Sequence, residues 1–241
     1  VLPLCILVTG EPVEPVRRRR GEFSDLIAAR AGEFEGGFSI VDARGASAPE
    51  SYPRLDAVSG IVVTGSAASV TERQPWMLAA GEFLLGAVRA GKPVLGICFG
   101  HQLLGQALGG VVEKNPRGRE IGTTTIEVVA DDPLFSDVRP FLANQTHVDS
   151  VRALPPGARL LARTRLDDHA AFRYGESTWG VQFHPEFDAD VMRGYIEARS
   201  DLLRREGLDP EALLAGAADA ASTAGEVLRR FVRLVAERSA R

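Results

Sequence analysis

Four short apolar runs, Leu4–Val8, Phe38–Val41, Gly60–Val63 and Pro93–Ile97, alternate with segments of helical spacing over the first 110 residues. Gly21–Ala31 places Phe23, Leu26 and Ile27 on one face. Gln74–Ala90 has Pro75 near its first turn and Gly91 as its stop, and Phe99–Leu108 is closed by Gly109-Gly110. Runs this short and this uniformly apolar suit strands buried on both faces, joined by crossover helices. The pattern predicts an α/β chain of three layers, with a mostly parallel central sheet and helices on both faces.

The middle of the chain changes character. Val111–Glu113, Thr123–Val129, Arg159–Arg165 and Ala170–Tyr174 are rich in β-branched and apolar residues, with turn formers between them. They are expected as antiparallel strands extending or flanking the main sheet, before Thr178–Phe183 returns to the core. From Asp188 onward the spacing is helical, with Asp209 as the N-cap of a short helix starting at Pro210. Residues 1–187 are expected to form the principal domain, and 188–241 a helical extension packed on it. Its apolar faces could equally serve a homodimer contact, since buried apolar area is worth roughly 25 cal/mol per Å2 whichever chain supplies the partner.

The 241 residues are 45% hydrophobic and 25% charged, with a net charge of −4. Basic residues are interleaved with acidic ones, so no nucleic-acid partner is expected. The exception, Arg17-Arg18-Arg19-Arg20, is expected as a solvated loop, with anion binding as the alternative. No run approaches a membrane span and no basic leader precedes a long apolar stretch, so a cytoplasmic protein without membrane association is expected. Two cysteines, Cys5 and Cys98, make a disulfide framework improbable.

Cys98 sits between Gly96 and Gly100, where the fourth strand turns into a helix. Such an elbow lifts the thiol above the sheet edge and points it at the unpaired N–H groups and partial positive charge of a helix N-terminus, which favours thiolate. The Phe99 N–H would face a developing oxyanion, and Gly65, in Thr64-Gly65-Ser66 after the third strand, would supply a second donor. Far downstream, Gly180-Val-Gln-Phe-His184-Pro-Glu186 ends another apolar run. His184 would take the thiol proton and later protonate a leaving amine, with Glu186 orienting the imidazole.

These segments resemble class I, or triad, glutamine amidotransferases, and within them stand-alone proteins similar to the amidotransferase domain of GMP synthase. Gly96–Gln102 is similar to the family's nucleophile motif, and Val181–Glu186 to its His-x-Glu motif. Thr9-Gly10-Glu11-Pro12, Thr64-Gly65-Ser66, Ser69-Val70 and Pro75-Trp76 fit the same subgroup. The resemblance implies a flavodoxin-like amidotransferase fold in which Cys98, His184 and Glu186 cleave the side-chain amide of glutamine through a γ-glutamyl thioester. It implies oxyanion donors at Gly65 and Phe99, and substrate binding by Gln102, Ser66, Thr146, His147 and Val148. Thr146 stands where the family usually has serine.

No cofactor and no metal are expected. No Gly-x-x-x-x-Gly-Lys-Ser/Thr loop is present to activate an ammonia acceptor with ATP, so the implied partners are glutamine or another γ-glutamyl compound and a separate synthetase subunit. Two alternatives stand beside this: a stand-alone hydrolase of γ-glutamyl peptides or amines, and a non-catalytic regulatory protein of the same fold. His101 is expected to pack, His147 to position the substrate loop, and His169 to lie in a surface turn. Trp76 and Trp179 are expected in the core or a groove wall.

Overall fold

A computed structural model describes residues 1–45, 51–136 and 139–239. Five strands form the parallel half of the main sheet: β1 (Leu4–Val8), β2 (Phe38–Asp42), β3 (Gly60–Val63), β4 (Val94–Ile97) and, entering last, β11 (Thr178–Val181), in the order β2-β1-β3-β4-β11. Their residues alternate between two cores, as a period of two demands. Leu4, Ile6 and Val8 face one helical layer, containing Ile27 of α2 (Phe23–Ala31) and Val227, Leu228 and Phe231 of α8 (Ala221–Ser239). Cys5 and Leu7 face the other, with Met77 and Leu84 of α3 (Pro75–Arg89) and Leu103 and Leu104 of α4 (Phe99–Ala107). The apolar face of the last helix is thus covered by its own chain.

Beyond β11 the sheet turns antiparallel, through β10 (Ala171–Tyr174), β9 (Arg159–Arg163), β6 (Glu120–Val128) and β7 (Phe141–His147). A separate hairpin-like pair, β5 (Val111–Lys114) with β8 (Asp149–Ala153), covers α4. Neither β7 nor β8 was expected. β7 is buried along most of its length but carries Asn144, Gln145, Thr146 and His147, so its composition hides it.

The arginine run corrects an expectation. Arg17–Arg20 is the last turn of a helix, α1 (Glu14–Arg20), with Glu14 and Pro15 at its start. Acid at the N-terminus and base at the C-terminus complement the helix dipole. Each arginine has an acidic neighbour: Arg17 pairs with Glu11 at 2.8 Å, Arg18 with Glu14, Arg19 with Asp190 at 3.4 Å and Arg20 with Asp188 at 2.5 Å. The run fastens α1 to the start of α5 (Ala189–Ala198), and a Cβ on Gly194 of α5 would lie 2.5 Å from Val16 Cγ2, so only glycine permits the approach. Then come α6 (Ser200–Arg205) and α7 (Pro210–Gly216), the latter capped by Asp209, which accepts from the Glu211 and Ala212 N–H groups. Of the C-terminal extension, residues 240–241 lie outside the described residues. Among the described residues no helix is long and apolar enough to cross a membrane.

Candidate active site

The carboxyl ends of β3, β4 and β11 lie side by side and deliver Gly65, Cys98 and His184 to one place, the end of a parallel sheet where ligands commonly bind. Cys98 has φ +52° and ψ −103°, a backbone conformation that costs a non-glycine residue about 1–3 kcal/mol. Neighbours on both sides hold it there. The Cys98 N–H donates to Val181 O at 2.9 Å, and the Gly100 N–H donates to Thr64 O at 3.2 Å. A Cβ on Gly96 would lie 2.4 Å from Gly100 O, and one on Gly100 would lie 2.7 Å from Val63 O. Both glycines let the helix sit directly against the sheet. Phe99 opens α4, where an N–H has no acceptor within the helix.

Gly65 is as confined. A Cβ there would come within 2.9 Å of His184 Cε1 and 3.7 Å of Cys98 Cβ. The strand end beneath it is braced by Thr9, whose hydroxyl donates to Thr64 O at 2.9 Å and whose N–H donates to Thr64 Oγ1 at 3.0 Å.

His184 follows β11 on a loop tied to β7, its N–H donating to Asn144 O at 2.9 Å. The Asn144 amide donates in turn to Phe187 O at 3.0 Å. The imidazole stacks on Phe187, with ring centres 4.0 Å apart, and its Nδ1 lies 2.7 Å from Glu186 Oε1. With Nδ1 held by the carboxylate, Nε2 is the nitrogen left over; it is buried and has no hydrogen-bond partner of ordinary geometry. Burial alone would push the Cys98 thiol up, but the charge and hydrogen bond of His184 together with the charge of His147 outweigh it and bring the thiol below its ordinary value. Burial opposes charge on His184 as well, yet Glu186 and Cys98 raise it well above the usual histidine range. Both shifts act in the direction of a thiolate–imidazolium pair.

Cys98 opens into a cavity of about 250 Å3 that also touches Ser66, Gln102, Thr146, His147 and Val148. Gln102 donates its amide to Asp149 O at 2.8 Å and Gln182 Oε1 at 3.0 Å, leaving its oxygen as an acceptor. The Ser66 hydroxyl accepts from the Ala68 N–H at 3.2 Å. His147 is fully engaged: Nδ1 lies 3.0 Å from Asp149 O and Nε2 lies 3.1 Å from Glu120 Oε2. With an oxygen facing each ring nitrogen no lone pair is left free for proton transfer, and against the cost of burial Glu120 and Asp167 raise the pKa of the ring.

Glu120, Arg119 and Arg199 at this site were not singled out in sequence, because each is an isolated polar residue in an unremarkable segment. His101 is buried against Phe172, and burial lowers its pKa to about 3, leaving it neutral. His169 lies half-buried in a turn with Nδ1 2.7 Å from Val151 O. Trp76 stacks on Phe99, and the buried Trp179 donates to Asp132 Oδ1. Among the described residues no group of three or more His, Cys, Asp or Glu side chains could hold a metal ion.

The family profile "Glutamine amidotransferase class-I" matches residues 22–199. The glutamine-hydrolysing GMP synthase of Pyrobaculum aerophilum is 38% identical over 170 residues, which are 69% of this chain but 31% of that protein. The chain therefore spans about a third of the curated relatives of this kind. A glutamine amidotransferase from Thermotoga maritima superposes with a TM-score of 0.75 at 24% identity, covering 98% of this chain and 99% of its own. A glutamine amidotransferase from Methylobacillus flagellatus gives 0.76 at 21% identity, covering 98% and 95%. At these identities the two structures establish the shared fold. With the profile covering most of the chain and the elbow and cavity lying inside the matched segment, this protein belongs to the class I glutamine amidotransferase family.

Proposed function

We propose that the protein hydrolyses the side-chain amide of glutamine, with Cys98 as nucleophile, His184 as acid and base, and Glu186 as the group that orients it. The observation that carries this is the buried His184–Glu186 contact of 2.7 Å beside a cysteine held in a strained turn. The Cys98 thiolate attacks the amide carbon, and the oxygen takes up negative charge opposite the N–H groups of Gly65 and Phe99. The His184 imidazolium gives its proton to the nitrogen, and ammonia leaves a γ-glutamyl thioester. Water then attacks the thioester while His184 accepts its proton, and glutamate departs with the thiolate restored.

The amino-acid end of the substrate lies in the cavity beside Ser66 and Thr146–Val148. Gln102 can act there only as an acceptor, since its donors are occupied. His147 holds the loop through both ring nitrogens, and its charge when protonated supports the thiolate. The ammonia goes to a synthetase activity, since the matched relatives are glutamine-hydrolysing GMP synthases.

Glutamate and ammonia release from glutamine, γ-glutamyl peptides and γ-glutamyl amines tests the proposal. Glutamine should be the preferred compound, with turnover rising when the synthetase partner is added. Preference for a γ-glutamyl peptide or amine without any partner would replace it with a stand-alone hydrolase, and no turnover of any of them would remove the catalytic assignment.

A further inference from the structure

The cavity holds a positive charge that the reaction above leaves unused. Arg199, just past the end of α5, donates to Thr146 Oγ1, and its guanidinium carbon lies 4.9 Å from the centre of the Tyr195 ring. Among the described residues no carboxylate is ion-paired with it. Glu206 is near enough to act on Arg199 electrostatically, but both of its oxygens are taken by Arg119, at 2.7 and 3.0 Å. Arg119 lines the same cavity and repels Arg199. The carboxylates that line the cavity, Glu72 and Asp149, accept from Ser69, and Arg119 holds Glu206, which leaves Arg199 without a carboxylate of its own.

A half-buried guanidinium stays charged, so leaving it without a counter-ion is costly, and an incoming anion offsets that cost. The planar fork of arginine suits a carboxylate best. That carboxylate must belong to a molecule whose acyl carbon reaches Cys98, which opens on the same cavity. Arg199 is bonded to Thr146, within the loop assigned to the amino-acid end. The α-carboxylate of a γ-glutamyl group is the anion that meets both conditions, and every γ-glutamyl compound carries it.

We infer that Arg199 is a specificity-determining residue of this chain, binding the α-carboxylate of the γ-glutamyl substrate through its guanidinium. The inference rests on the proposed amide hydrolysis, and its test separates the two. Wild type, Arg199→Lys and Arg199→Met are compared on glutamine and on 4-aminobutanamide, which is glutamine without its carboxylate. The Met variant should raise the KM for glutamine on the order of 10–100-fold, the range expected for a lost charged hydrogen bond. The wild-type preference for glutamine over 4-aminobutanamide should collapse by a similar factor, with Lys intermediate.

An equal loss on both compounds would overturn the inference, because Arg199 would then only brace Thr146. So would no change on either, or an effect confined to substrates carrying a second carboxylate on the leaving group. A parallel readout needs no turnover: alkylation of Cys98 by a glutamine-shaped chloroketone and by its analogue lacking the carboxylate. Arg199→Met should abolish the selectivity between the two while the rate with iodoacetamide is retained. If selectivity persists, the assignment is wrong even where hydrolysis stands. If it disappears in a protein that hydrolyses nothing, the assignment holds and the proposed reaction fails.

Discussion

The two walls of the cavity are built by different means. The wall carrying Cys98 is made of backbone: a positive φ at the cysteine, three strand ends in register, and glycines at 65, 96 and 100 where any side chain would collide. The wall carrying Thr146, His147 and Arg199 is made of buried polar side chains that hold one another. Glu120 accepts from Thr164 at 3.0 Å and lies 3.1 Å from His147, and Arg199 reaches across from the C-terminal helices. The first arrangement tolerates almost no change. The second can be tuned one contact at a time, which suits the part of a site that selects the substrate.

The largest effect should come from breaking the backbone wall. In Gly65→Ala the new methyl group would sit 2.9 Å from His184 Cε1, so the imidazole must move. Displacing a catalytic group by such a distance costs on the order of 100-fold in kcat, with the melting temperature little changed. Steady-state kinetics beside a thermal melt checks this; near-normal kcat would mean that the two strand ends are less tightly opposed than described.

A middling effect is expected on the side-chain wall. Glu120→Gln keeps the shape and removes the charge facing His147, which should raise KM by about 10-fold and lower stability by about 1–3 kcal/mol. The pH dependence has a definite sign. His147 titrates above its ordinary value of 6.5, so its contribution is complete below 6.5 and is lost as pH rises through the raised value. The stability gap between wild type and Glu120→Gln should therefore narrow toward alkaline pH in denaturant titrations.

The smallest effect belongs far from both walls. Glu226 on α8 pairs with Arg229 and Arg233, which, against burial, hold its pKa down to about 2. Its contribution is present above the ordinary value of 4.5 and is lost as pH falls toward 2. At 24% exposure, Glu226→Gln should cost less than about 1 kcal/mol at neutral pH, and wild type and variant should melt together in strong acid.

The same contrast explains what could be read from the sequence. Leu4–Val8, Gly60–Val63 and Val94–Ile97 are apolar because both faces are buried, and the elbow at Cys98 needs glycines at fixed spacing, so strands and elbow announce themselves together. β7 does not, because its buried residues Asn144 and Gln145 are polar and their partners lie far off in the chain. Arg199 is 101 residues beyond Cys98, and nothing in its helical surroundings separates it from a solvent-facing arginine. Arg17–Arg20 failed for the opposite reason: a conspicuous charge run in which the acidic partners of Arg19 and Arg20, Asp188 and Asp190, are distant in sequence.

Labelling with a glutamine-shaped chloroketone, read by peptide mass spectrometry, bears most directly on the assignment of Cys98. The chain offers an internal control, since Cys5 is fully buried in β1 and burial pushes its thiol up to about 11. Cys98 should be modified alone, with saturable kinetics, protection by glutamine, and a pH dependence whose midpoint lies below that of a free thiol. Modification of both cysteines at similar rates, or a Cys98 rate that glutamine does not slow, would contradict the proposal that Cys98 is the nucleophile of a γ-glutamyl site.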